Sequence, residues 1–357
     1  MPDSRSPFDT ENARARVSAA VEEFVAAQQA SLAEIDSLLL PAHELLAAFM
    51  SGGKRLRPVL AWWGWRAAGG DDVDAAIRAV ASLELVQACA LIHDDVMDGS
   101  DTRRGSPSIH RSIEAIHTAN HWRGAGKNFG VAGALLLGDL CLSWADQLLY
   151  ESGLAAQALA RAKPVYDVMR TELMAGQFLD VVAQVALDGS PERALQVARY
   201  KSAKYTVERP LHVGWALADG SAELKQALTD YGLALGEAFQ LRDDVLGVFG
   251  DPLTTGKPAG DDLREGKRNF LTETALTHAD DHGRGTLQNK LGDPQLTAAD
   301  IDELREIIDT SGALARTEQR IAEQTQVALD ALTHVSFANS ADEVLAELAH
   351  AATNRST

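Results

Sequence analysis

The chain has 357 residues, 46% of them hydrophobic and 24% charged, the balance of a folded protein able to bury a sizeable core. A formal net charge of −18 excludes a general nucleic-acid binder, so an acidic substrate has to be met where Lys and Arg cluster locally. No run of about 18 apolar residues occurs, so no membrane span is expected, and the opening MPDSRSPFDTENARARV lacks the apolar core of a signal segment, which leaves the cytoplasm as the default compartment.

Residues 1–15 read as a disordered lead-in. From Glu11 to Ala48, Val17, Val21, Phe24, Val25, Leu32, Ile35, Leu38 and Leu39 recur at helical spacing. That helix ends near Ser51-Gly52-Gly53, and Lys54-Arg55-Leu56-Arg57-Pro58 follows on a predicted turn. Glycine lets backbone N–H groups approach a phosphate and arginine forks bind its oxygens, so the turn fits an anion cradle, although a solvated basic turn fits it too. An Ala-rich helix is predicted over Val73–Asp98, apolar on most sides as in the centre of a bundle. Arg103–Gly130 reads as a long loop with one short helix, a lid or a partner surface. Its His117 and His121 stand at i,i+4 without a third ligand, which favours a surface helix over zinc. Further helices are expected over Val131–Tyr150, Leu154–Leu187, Pro191–Leu217 and Ala222–Val248, then helices separated by short polar breaks. Cys89 and Cys141 lie in apolar helical surroundings and read as buried thiols. Strand signals are nearly absent. The fold expected is all-α: one large helical domain over 16–350, a bundle of ten or more helices, with a frayed tail at 351–357.

Two stretches carry chemistry. Leu91-Ile92-His93-Asp94-Asp95-Val96-Met97-Asp98 runs from apolar residues into carboxylates, with Asp94 and Asp98 one turn apart on one helix face and Asp101 expected to extend it. Like charges so placed need a cation, and hard oxygen ligands without Cys or paired His suit Mg²⁺, which keeps waters and takes few carboxylates plus substrate phosphates. Phe239-Gln240-Leu241-Arg242-Asp243-Asp244 repeats the pattern at the end of another apolar helix. The glycine-punctuated loop Gly256–Lys267 behind it carries two lysines among acids and has the character of a segment that closes over a charged substrate.

GGKRLRP at 52–58, HDDVMDGSDTRRG at 93–105 and FQLRDD with GDPLTTGKPAGDDLREGK at 239–267 resemble the trans-isoprenyl diphosphate synthases, over roughly residues 20 to 345. The resemblance implies an all-α homodimeric enzyme of the isoprenoid synthase type, with two aspartate motifs facing a central cavity. It implies condensation of isopentenyl diphosphate with a C5 to C15 allylic diphosphate, with three Mg²⁺ ions. Asp94 and Asp98 would hold two ions and Asp243 the third, Asp95 and Asp244 supporting them. Arg103, Lys201 and Lys257 would contact the allylic diphosphate, and Lys54, Arg57 and Arg104 the isopentenyl diphosphate. Ser202 and Gln240 would steady the allylic cation, and Lys267 would lie in the closing loop. Three departures stand out: Gln87 where most members have His, Gly247 where the second motif would end in a carboxylate (with Asp251 a possible substitute), and the length of 111–127. Small residues at Cys89 and Ala90, before the first motif, imply room for geranylgeranyl diphosphate or longer, with Trp144 and Leu140 candidates for a deeper floor. A non-catalytic subunit of a heteromeric synthase, a class I terpene cyclase and a purely structural helical protein are the competing readings.

Overall fold

Apolar residues at helical spacing become helices along nearly the whole chain in the computed structural model, which describes residues 11–185, 189–250 and 260–353. These fall into two compact units: residues up to Lys163 with Val213–Gly220, and Pro164–His212 with Ser221 onward.

The first unit opens with α1 (Ala13–Ile35) and α2 (Leu40–Met50). The single helix expected over this stretch is broken at Asp36, whose backbone is extended and whose carboxylate accepts the Leu38 N–H at 2.9 Å, starting a 3₁₀ turn over Ser37–Leu39. Then come α3 (Leu56–Ala67), α4 (Asp74–Met97), a two-residue hairpin pairing Thr102–Arg103 with Ser106–Pro107, α5 (Ile109–Ala119) and α6 (Gly126–Tyr150). Helix α6 starts earlier than expected because its glycines serve packing instead of a loop. A Cβ on Gly130 would lie 2.3 Å from the His110 carbonyl oxygen, so α5 and α6 touch backbone to backbone. Helices α4 and α6 both reach the length and mean hydropathy of a membrane span. The apolar window of α4 is mostly buried inside its own unit, as in a core helix, whereas α6 keeps Phe129, Leu135 and Leu136 exposed.

The second unit takes most of α7 (Ala156–Val185), then α8 (Pro191–Ala198), a π-helical segment (Arg199–Glu208) that runs into the first turn of α9 (Arg209–Leu217), whose remainder from Val213 belongs to the first unit, and α10 (Ala222–Phe249). Close approach seats the π segment: a Cβ on Gly176 of α7 would lie 2.4 Å from the Lys201 nitrogen, and one on Gly236 of α10 2.6 Å from the Ala203 Cα. Five helices follow after the short α11 (Asp261–Arg264): α12 (Phe270–His278), α13 (Asp281–Lys290), α14 (Ala298–Thr310), α15 (Ala313–Ala331) and α16 (Ala341–Thr353). Leu241, Val245 and Val248 of α10 pack with Leu263, Leu271, Leu287, Leu304 and Ile308 in its core.

One ion pair ties the first unit together. Arg55, in the left-handed region at φ 54°, turns inward. It donates to Glu84 Oε1 at 2.7 Å, to Ser18 Oγ at 3.1 Å and to the Met50 carbonyl, joining α1, α2, α3 and α4. Both partners are buried, so removing one strands the other's charge. Glu84→Ala should therefore lower unfolding stability by about 3–5 kcal/mol in urea titrations, the cost of breaking a buried pair.

Candidate active site

Helix α4 stops at Met97. Asp98 caps it, donating its N–H to the Asp94 carbonyl at 2.8 Å, and Gly99 at φ 66° turns the chain away. Asp94 and Asp98 thus share one end of α4, but Asp101 does not extend that face: it lies beyond the helix and accepts from Arg111 Nε at 2.7 Å. The hairpin that follows turns on Arg104-Gly105, both with positive φ (54° and 76°), the geometry of a two-residue turn matched to strand twist. A non-glycine residue there is uncommon. Its effect is to send consecutive arginines to different partners.

Arg103 returns to α4, donating from Nε to Asp95 Oδ1 at 2.8 Å, with Nη2 on the same oxygen and 3.6 Å from Asp94 Oδ2. Burial pushes the fully buried Asp95 above the usual carboxylate range, with Arg103 pulling the other way. Its second oxygen, Oδ2, is buried without a hydrogen-bond partner. Arg104 lies against the glycine turn. A Cβ on Gly53 would be 3.4 Å from Arg104 Nη2 and 3.4 Å from Glu84 Oε1, and the guanidinium stands 6.0 Å from the Phe49 ring. Burial lowers the Arg104 pKa, Arg55 and Arg103 push the same way and Glu84 opposes them, so an anion here would relieve crowded cations. Lys54 is exposed beside this turn and Arg57 is partly buried in the first turn of α3. Gln87 follows Glu84 by one turn, and its Oε1 is buried without a hydrogen-bond partner. Of the basic turn, then, Arg55 is structural, held by Glu84, Ser18 and the Met50 carbonyl.

In the second unit Lys201, on the π segment, contacts Asp180 Oδ2 at 2.7 Å, and Ser202 next to it is partly buried. π-bulges recur at functional sites. Gln240 donates to Asp244 Oδ1 at 2.8 Å. Burial pushes Asp244 up to about 8; the Gln240 hydrogen bond opposes this, and the charges of Asp262 and Asp243 reinforce it. Lys267 sits between Asp262 Oδ1 (3.0 Å) and Glu265 Oε2 (2.7 Å); burial works against its charge, and these carboxylates raise its pKa above the ordinary value. Lys257 lies outside the described residues. The donors are all carboxylates, which fits Mg²⁺ and no softer metal. Among the described residues no three His, Cys, Asp or Glu side chains form a closed metal cage. Mg²⁺ shared with a diphosphate needs none.

Sequence reasoning passed over Glu84, Asp180 and Asp262. Glu84 did carry a signal, since it is the one acidic or basic residue between Arg78 and His93 in an otherwise apolar helix. Asp180 meets Lys201, 21 residues on, only in the folded chain, whereas Asp262 meets Lys267 five residues on. Asp251, the substitute considered from sequence, lies outside the described residues.

The profile of the polyprenyl synthetase family matches residues 41–308. The geranylfarnesyl diphosphate synthase of Aeropyrum pernix is 32% identical over 302 residues, 84% of this chain and 88% of that protein. The geranylgeranyl diphosphate synthase of Saccharolobus solfataricus is 31% identical over 73% of this chain and 74% of its own. A solved geranylgeranyl pyrophosphate synthase of Corynebacterium glutamicum, complexed with isoprenyl diphosphate and magnesium, superposes with TM-score 0.92 at 42% identity, covering 98% of this chain and 99% of that one. The fold and the sites described define an isoprenyl diphosphate synthase, a prenyltransferase. The chain belongs to the polyprenyl synthetase family.

A carboxyl held up to about 8 keeps its proton in the fold after the unfolded chain has released it. Its contribution is favourable at low pH and is lost as pH rises from about 4 to about 8. Metal-free Asp244→Asn should show a flatter fall in melting temperature over that window than the parent protein, measured by thermal unfolding across a pH series.

Proposed function

We propose that the chain condenses isopentenyl diphosphate with a C5 to C15 allylic diphosphate in a Mg²⁺-dependent reaction, with geranylgeranyl diphosphate as main product. The observation that carries this reading is the split of Arg103 and Arg104: one clamps the aspartate end of α4, the next lies on the glycine turn. Two neighbouring diphosphate sites, one acidic and one basic, suit a two-substrate condensation; a terpene cyclase, with one diphosphate, has no use for the second. Intact Asp94, Asp95 and Asp98 speak against a non-catalytic subunit.

The hard step is breaking the allylic C–O bond, in which pyrophosphate leaves with the bonding electrons. Three Mg²⁺ ions, held by Asp94 and Asp98 and by Asp243, would neutralise the charge that develops on this leaving group. We assign Arg103 in the first unit, and Lys201 and Lys257 further along the chain, to diphosphate binding, and Asp95 and Asp180 orient Arg103 and Lys201. Lys54, Arg57 and Arg104 hold the isopentenyl diphosphate, with Gln87 supplying a neutral hydrogen-bonding group where a charged one is usual. Its double bond then attacks the allylic carbon, and a proton is lost. Gln240, its amide nitrogen engaged by Asp244, offers its oxygen to the cation together with Ser202. Lys267, tied to Asp262, belongs to the segment that closes over the site.

Ala90 stands one turn before Asp94 on the same face and is partly buried, so it borders the path of the growing chain. Cys89 instead lies under His93, its thiol 3.8 Å from Nδ1, and His93 reaches the Leu135 carbonyl on α6 at 3.1 Å. Trp144 packs edge-on to Phe24 at 6.2 Å and can serve as part of a deeper floor, with Leu140. The exposed Phe129, Leu135 and Leu136 of α6 are the surface we assign to a homodimer.

Purified protein incubated with isopentenyl diphosphate and C5, C10 or C15 allylic diphosphates should give a C20 or longer product only with Mg²⁺, and Asp94→Ala should cut turnover about a hundredfold or more. Absence of any elongation by folded protein would reject the reading. Ala90→Phe should shorten the product in the same assay, and an unchanged chain length would place the floor elsewhere.

A further inference from the structure

Glu172, Gly176 and Asp180 follow one another at four-residue spacing along one face of α7. All three meet the π segment. Asp180 Oδ2 takes the Lys201 ammonium at 2.7 Å, and the bare Cα of Gly176 lets the Lys201 backbone come close. Glu172 reaches the far end of the segment. Its two oxygens accept from Arg209 Nε at 2.6 Å and Nη2 at 2.8 Å, and Oε1 also stands 3.3 Å from Lys204 Nζ. Lys204 in turn donates to the buried Glu208 at 2.8 Å, and Arg209 Nη1 lies 3.4 Å from His212 Nδ1. Burial works against the Glu172 charge, but Arg209 and Lys204 hold its pKa below the usual carboxylate range.

Lys204 and Arg209 are five residues apart, and that spacing carries the argument. Residues five apart come close to stacking when the chain is wound with i→i+5 hydrogen bonds and point well apart when it is wound i→i+4. The backbone makes the i→i+5 bond at this very pair: the Arg209 N–H donates to the Lys204 carbonyl. Glu172 gathers the side chains of the same two residues. The glycines of α7 and α10 permit the segment to lie close, with a Cβ on Gly232 falling 2.6 Å from the Glu208 Cα, but a glycine holds nothing in place. Ten residues of so uncommon a winding need a contact that distinguishes it from an ordinary helix.

We propose that Glu172 is a positioning residue that keeps the segment in its π register by binding Lys204 and Arg209 together, and so sets the direction in which Lys201 and Ser202 point. Relaxation to i→i+4 winding would rotate those two residues against α7 and α10. The inference rests on the diphosphate synthase reading and deepens it, since Glu172 acts through the segment and not on the substrate.

The test pairs steady-state kinetics with backbone amide exchange over residues 199–208 of the metal-free protein. Glu172→Leu removes the charge and both acceptors; Glu172→Gln keeps the shape and one acceptor for Arg209. In Glu172→Leu the turnover of allylic diphosphate should fall about ten- to a hundredfold, the cost of a small misplacement of binding groups. The KM for isopentenyl diphosphate should stay within about threefold, because a residue behind Lys201 serves the other substrate. Exchange over 199–208 should quicken about tenfold or more as the segment opens locally, and Glu172→Gln should restore part of both losses. If Glu172→Leu does not fold, Glu172→Gln decides on the same two readouts. A folded variant with parental turnover, or with parental exchange over 199–208, overturns the inference while the parent's own activity upholds the synthase reading. A parent protein that makes no product overturns that reading and the role given to Glu172 with it.

Discussion

The buried carboxylate of Glu84 sets the terms for the basic end of the first unit. An anion in the middle of an apolar helix is tolerated only when paired, and it draws in Arg55 from the chain that follows the two glycines. Arg55 adopts a left-handed backbone to make that contact. On either side of it, Lys54 is exposed and Arg57 is partly buried. Arg104 arrives near the same carboxylate from the hairpin, so a single negative charge organises cations that would otherwise repel. Its worth lies less in net stability, since buried pairs return little against hydrophobic substitutes, than in fixing where the other cations must be.

Local backbone strain is found at the same places, as it is at other turns of the chain. Arg55 and Arg104 are non-glycine residues with positive φ, and each sits where a basic side chain must be aimed in a direction the neighbouring element does not offer. Such positions cost energy and persist when surrounding contacts over-determine them. For Arg55 those contacts are Glu84, Ser18 and Met50; for Arg104 they are the hairpin register and the tight glycine turn. The π segment around Lys201 is a third case, held by close backbone packing at Gly176 and Gly236.

What could be read from sequence follows from the range of the interaction involved. The helices of α4, α6 and α10 were visible because periodic burial is written locally, and the aspartates at their ends because a carboxylate after an apolar run is locally anomalous. The start of α6 was misplaced because a glycine that permits helix contact looks, in one dimension, like a glycine that ends a helix. The break at Asp36 was missed for the converse reason: one side-chain hydrogen bond to Leu38 outweighs a continuous apolar pattern. Asp101 lies off the face because Gly99, a helix-stop residue in plain view in the sequence, ends α4 before it. Residues that act through a partner from another element, as Asp180 does for Lys201, leave no trace in spacing at all.

A protein with net charge −18 that handles polyanionic substrates cannot rely on long-range attraction, which is screened beyond about 8 Å at physiological salt. Three of its cations rest against carboxylates: Arg103 on Asp95, Lys201 on Asp180, Lys267 on Asp262. Asp95 and Asp262 are buried and Asp180 is partly so, and each is paired, so each orients its cation without exposing a bare negative charge beside it.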